Sequence, residues 1–111
     1  MKRNPRIYLP DHLARVRQLP CLLCLDNTST EACHIRYSDI RAAKINPGVG
    51  QKPHDYWVVP LCKRHHDAQH AFGDEYQFWA HECIDPLFIA MALYLNSGDQ
   101  EACEQIIHAQ H

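Results

Sequence analysis

The chain has 111 residues and an ordinary apolar share of 46%, which allows one domain with a modest core rather than several. No apolar run approaches the roughly 20 residues of a membrane-crossing helix, and no signal-peptide apolar stretch follows the basic start Met1-Lys2-Arg3-Asn4-Pro5-Arg6. A net charge of −2 argues against a protein that coats duplex DNA indiscriminately.

That small net charge conceals a division. All eleven Lys and Arg lie within residues 1–64, with five acidic residues; residues 65–111 carry eight acidic residues and no Lys or Arg. A basic half beside an acidic half points to a phosphate-facing surface in the N-terminal part, the alternative being plain solvation of those side chains. The chain reads as cytoplasmic, where disulfides are rare. Six cysteines in that compartment favour metal binding over a disulfide framework.

In chain order, residues 1–10 form a Pro-flanked basic arm, mobile or extended. A short helix is expected from Asp11 to Gln18, with Leu13, Val16 and Leu19 on one side. Pro20 ends it and leads into the knuckle-like turn Cys21-Leu22-Leu23-Cys24. A polar turn spans Asp26 to Thr30, and Glu31 to Arg36 reads as a strand carrying His34. Tyr37 to Pro53 is a long loop containing Pro47-Gly48-Val49-Gly50. A second strand, Tyr56 to Leu61, runs to Cys62, and Lys63 to Phe72 should be helical. Gly73 breaks that helix. Asp74 then caps another through Cys83, packed by Tyr76, Phe78 and Trp79. Pro86 opens an apolar helix to Leu95, Asn96-Ser97-Gly98 stops it, and Asp99 to Gln110 reads as a last amphipathic helix. Cys83 and Cys103 lack ligand spacing and read as small buried apolar residues. Trp57, Trp79, Phe78 and Tyr94 fall in apolar runs and read as core.

Two constellations carry chemistry. Cys21-x2-Cys24 followed by Cys62-x2-His65 supplies four ligands from two distant segments, which is what a closed tetrahedral zinc site requires. Cys33 or His66 could replace His65, but His65 lies one helical turn from Cys62 and leaves His66 available. The second constellation is Ala32-Cys33-His34-Ile35-Arg36 with His66 and His70. On a helix, His66 and His70 share one face and can point at a second metal. His12, His81, His108 and His111 stand alone and receive no role. Arg3, Arg6, Arg15 and Arg17 lean toward DNA because the acidic residues lie elsewhere, while Arg41, Lys44 and Lys52 are evenly balanced between phosphate contacts and solvation.

These residues, with Lys52-Pro53-His54-Asp55-Tyr56-Trp57-Val58-Val59-Pro60-Leu61-Cys62 running into Lys63-Arg64-His65-His66-Asp67-Ala68-Gln69-His70, resemble the HNH endonuclease family. More narrowly, they resemble the phage and prophage proteins of the recombination-enhancement-function (DUF968-like) type. The resemblance covers roughly residues 20 to 80. It implies an α+β fold: a small ββα-metal core with a structural zinc knuckle and additional C-terminal helices. The expected division is an arm and short helix in 1–19, the nuclease core in 20–82, and a helical extension of the same domain in 83–111.

Carried over, His34 matches the general base, and His66 and His70 match the ligands of a catalytic Mg²⁺ or Mn²⁺. Asp55 or His54 stands near the family's central Asn, which orients the base or helps hold the metal. Arg36, two residues past His34, would share its strand face and hold a substrate phosphate. Two positions depart from the family pattern. Cys33 stands where the family often has a His or Asp ligand, and a thiolate suits zinc better than magnesium. Trp57 falls where the commonest spacing would put Asn. The implied activity is hydrolysis of single- or double-stranded DNA, with a recombination protein as a candidate partner and no membrane role. The rival expectation is a zinc-stabilised DNA- or partner-binding module without catalysis, which needs Cys21, Cys24, Cys62 and His65 but not His34, His66 or His70.

Overall fold

The computed structural model describes residues 6–42, 44 and 53–111. Helix α1 spans Pro10–Val16, strand β1 Thr30–His34, strand β2 Val58–Cys62, and helix α2 Lys63–Phe72. Helices α3 (Glu75–His81), α4 (Pro86–Leu95) and α5 (Gln100–His108) follow. The architecture is α+β, with one two-stranded antiparallel sheet in which Thr30 faces Cys62 and His34 faces Val58. Among the described residues, no single helix is long and apolar enough to cross a membrane.

All five residues of β2 are buried, because α1, α2 and α4 all pack against it. Pro60 is tolerated in this strand for a local reason. Its carbonyl points away from β1 and accepts the Leu22 N–H of the knuckle at 2.9 Å, so the missing proline N–H is not one the β1 ladder needs. The core joins Leu19, Leu22, Ile35, Trp57, Val59 and Leu61 to Trp79, Leu87, Leu93 and Ile107 from the later helices.

The helix starts follow their capping chemistry. The carboxylates of Asp74, Asp85 and Asp99 accept from Gln77 N, Leu87 N and Ala102 N respectively, each satisfying an otherwise orphaned first-turn donor. Helix α4 opens with Pro86 after its cap, where a missing N–H costs nothing.

Several expectations are corrected. Strand β1 ends at His34 rather than Arg36, because the Glu75 carboxylate takes the N–H groups of both Arg36 and Tyr37, at 2.7 and 3.1 Å. Arg36 therefore does not share a strand face with His34. Residues 6–9 are not a loose arm: Ile7 N donates to His54 Nδ1 at 2.7 Å, and Asp55 N donates to the Ile7 carbonyl at 3.0 Å. The 37–53 connection contains a 3-10 turn at Ile40–Ala42 and an Asp39–Lys44 bridge. Lys44 is buried, with Nζ 3.4 Å from the Arg36 carbonyl, so it is neither a solvated lysine nor an open phosphate contact. Arg3, Lys52 and the stretch from Pro47 to Gly50 lie outside the described residues.

Cys83 is exposed, whereas Cys103 is buried as expected. Cys83 has φ 56° and sits just past the end of α3, its N–H bonded to Ala80 O and that of Ile84 to Trp79 O. This is a Schellman cap with cysteine in the left-handed position that glycine usually fills. Tyr76 is 55% exposed and Tyr94 36% exposed, so neither is a core residue. Tyr76 lies edge-on to Tyr37.

Candidate functional site

The knuckle and the start of α2 converge. Sγ of Cys21, Cys24 and Cys62 and a ring nitrogen of His65 all lie within 4.8 Å of one another. Cys24 Sγ is 3.8 Å from Cys62 Sγ, and Cys21 Sγ is 3.6 Å from His65 Nδ1. In a zinc tetrahedron, bonds of about 2.3 Å to sulfur and about 2.0 Å to nitrogen put sulfurs about 3.8 Å apart and sulfur about 3.5 Å from nitrogen. Cys62 Sγ and His65 Nδ1, at 3.2 Å, are closer than that ideal, and the four groups fit the metal in number and type.

Local backbone geometry builds the cluster. Leu25 has φ 65°, and its N–H reaches back to Cys21 O at 2.8 Å, while Leu23 N donates to Cys21 Sγ at 3.4 Å. Such N–H groups stabilise thiolate charge. Burial opposes the Cys62 thiolate, yet the His65 and Arg64 backbone N–H groups and the Cys24 and Cys21 thiols outweigh it and hold Cys62 below the ordinary thiol value. Burial pushes the Cys21 thiol up to about 11, a cost that a bound cation offsets. Burial, and then Arg64, lowers the His65 pKa, favouring the neutral ring that a metal requires.

His34 and Asp55 meet at the other end of β1. His34 Nε2 lies 2.9 Å from Asp55 Oδ1. The same oxygen accepts from Arg6 NH2 at 2.8 Å, and Asp55 Oδ2 accepts from Leu9 N at 2.8 Å. Arg6 NH2 is also 3.4 Å from His34 Nε2, and Arg6 Nε donates to the Pro53 carbonyl. Asp55 is 2% exposed. Burial alone would raise its carboxyl, but His34, the Leu9 N–H and Arg6 prevail and keep it below the usual carboxylate range. His54 is held elsewhere, bonded to Ile7 N and stacked on Tyr56.

His66 and His70 lie together on α2 with ring centroids 4.9 Å apart. His66 Nδ1 is 2.8 Å from Glu31 Oε1 of β1. Cys33, on the same strand face as Glu31, is fully buried with Sγ 3.6 Å from Gln69 Oε1. Burial, with Glu75 as a smaller cause, pushes its thiol up to about 12, so it is a neutral packing residue. The structure thus brings His34 together with Asp55 and His66 together with His70. Arg36 is exposed, its backbone rather than its guanidinium tied to Glu75. Among the described residues, the three-cysteine, one-histidine set is the one group of three or more ligands drawn within 4.8 Å.

Sequence reasoning missed Arg6 and Glu31 as members of these groupings. Arg6 meets Asp55 from 49 residues away, and nothing local marks it. Glu31 had a local signal, since alternation puts it on the face of β1 that Cys33 shares.

Fold and site together define a small α+β protein with a Cys/His cluster able to hold one metal ion, consistent with structural zinc. The model of a family described as "Protein of unknown function (DUF968)" matches residues 2–90, and the chain belongs to that family. No curated protein and no solved structure matches it.

Proposed function

We propose that the protein is a metal-dependent endonuclease of the HNH type that hydrolyses DNA phosphodiester bonds. The observation that carries this reading is the 2.9 Å contact between His34 Nε2 and the buried Asp55 carboxylate, reinforced by Arg6. An ionised carboxylate accepts the Nε2 proton and so orients the His34 ring as the general base. The imidazole takes a proton from water as the water oxygen bonds to phosphorus. The bond to the 3′ oxygen breaks, and that oxygen takes a proton from solvent water, leaving 5′-phosphate and 3′-hydroxyl ends.

His66 and His70, with Glu31 beside His66, would hold the catalytic Mg²⁺ or Mn²⁺, which would relieve charge on the scissile phosphate and on the leaving oxygen. The exposed Arg36 offers a bidentate phosphate contact. In this reading the two strands and α2 would form the ββα-metal core, and a zinc held by the four ligands would fix α2, and with it His66 and His70, to the knuckle. Prophage DNA processing or recombination follows from the resemblance of the motif.

A second reading, a zinc-stabilised DNA- or partner-binding module without turnover, draws on two observations. Glu31 already pairs with His66, and Cys33 is a neutral thiol where the family often has a ligand. Supercoiled plasmid and circular single-stranded DNA, incubated with zinc-loaded protein and Mg²⁺, Mn²⁺ or no added ion, separate the two. The nuclease reading expects ion-dependent nicking that falls about 10²-fold or more in His34→Ala with unchanged circular dichroism. DNA binding without cleavage under any of these conditions would favour the module.

A further inference from the structure

We propose that the cleft between the start of α1 and the end of α4 is a stacking subsite for an unpaired DNA base next to the scissile phosphate. The identity of the polymer rests on the nuclease reading; the subsite itself rests on the cleft. It has a volume of about 300 Å³ and is walled by Tyr8, Pro10, His12, Arg15, Tyr94 and Ser97, at the small end of ligand pockets, which run about 300–1,000 Å³. Trp57, Phe78 and Trp79 are buried, but Tyr8 is 68% and Tyr94 36% exposed, and both line this one cleft.

The guanidinium of Arg6 lies 4.6 Å from the centroid of the Tyr8 ring. The same group bonds Asp55 and approaches His34 Nε2 to 3.4 Å, so Arg6 links Tyr8 of the cleft wall to the His34 site. Aromatic rings interleaved with arginines are what stacked bases and their phosphates require. Asp11 is the one acidic side chain in the lining, and it is exposed, as is Arg15.

One residue of the lining is itself buried. His12 is 4% exposed. Its Nδ1 meets Ser97 Oγ at 2.8 Å, but its Nε2 is buried without a hydrogen-bond partner among the described residues. The occupant is an unpaired base rather than a paired one because a duplex hides both ring faces within its own stack.

The test is fluorescence anisotropy with the zinc-loaded full chain, no Mg²⁺ or Mn²⁺ added. A short oligothymidylate, an abasic oligomer of equal length and a duplex are compared for wild type, Tyr8→Ala and Tyr8→Phe. Tyr8 is exposed enough that its truncation should leave the fold intact, which circular dichroism checks. The expected result is oligothymidylate bound about tenfold more tightly than the abasic strand, a preference lost in Tyr8→Ala and kept in Tyr8→Phe. Equal binding of the two strands by wild type, or a preference that survives Tyr8→Ala, would overturn the subsite. Base-dependent binding by a protein that cuts no DNA would support the subsite while removing the nuclease reading; cleavage without base preference would do the reverse.

Discussion

Asp55 spends its whole carboxylate on three partners, Arg6, His34 and the Leu9 N–H. Asp55→Ala leaves all three without their acceptor and should cost about 2 kcal/mol, read as a lowered urea midpoint. Because the folded state holds this carboxyl below its ordinary value, its contribution is complete above the usual carboxylate range. It is lost as pH falls through and below that range. Urea midpoints between neutral and acid pH should therefore drop less steeply in Asp55→Asn than in wild type. An equal acid loss in both would show that the carboxylate does not act as described. At Cys83 the expected sign is opposite. Glycine accepts φ 56° without the side-chain penalty, so Cys83→Gly should stabilise by about 1 kcal/mol and raise Tm by a few degrees. A lowered Tm would contradict the cap assignment.

Helix α2 depends on both of its ends. Cys62 closes β2 and caps α2, and Cys21 and Cys24 reach it from the knuckle, so one ion would tie three segments together. Cys24→Ser, or a strong zinc chelator, should release close to one zinc per chain and lower Tm sharply, with loss of helical circular dichroism. A zinc-free protein of unchanged Tm would contradict a structural role. The same elements show what the sequence made legible. The bounds of α2 and α4 were readable because Gly73, Pro86 and Asn96 punctuate them, and the Cys-x2-Cys and Cys-x2-His spacings announced their own convergence. The end of β1 was not readable, because Glu75 reaches Arg36 from 39 residues away. The exposure of Tyr76, Cys83 and Tyr94 was equally hidden, since an apolar run does not say which of its faces the fold leaves uncovered.

Across the whole molecule, the partition of charge acquires a location. Arg6, Arg15 and Arg36 stand around the His34 site, the adjoining cleft and the β1 exit, whereas Lys44 is buried and Arg41 is paired with Asp39 at 2.7 Å. With about three phosphate contacts, the logarithm of single-strand affinity should fall against the logarithm of salt with a slope near −2. A slope near zero would remove the basic half from DNA binding. The pairing of His34 with Asp55 could be anticipated only as one of two choices, Asp55 or His54, and Arg6 entered that reading merely as a positive charge on an arm.

In the proposed nuclease, His34 and Asp55 act as one unit in cleaving DNA. This coupling is tested by plasmid-nicking rates for wild type, His34→Ala, Asp55→Asn and the double variant, all zinc-loaded and supplied with Mg²⁺ or Mn²⁺. Each single change should be severe and the double variant no slower than His34→Ala, because residues acting together lose their effect together. Multiplicative losses in the double variant, or a wild-type protein that nicks nothing with either ion, would contradict it.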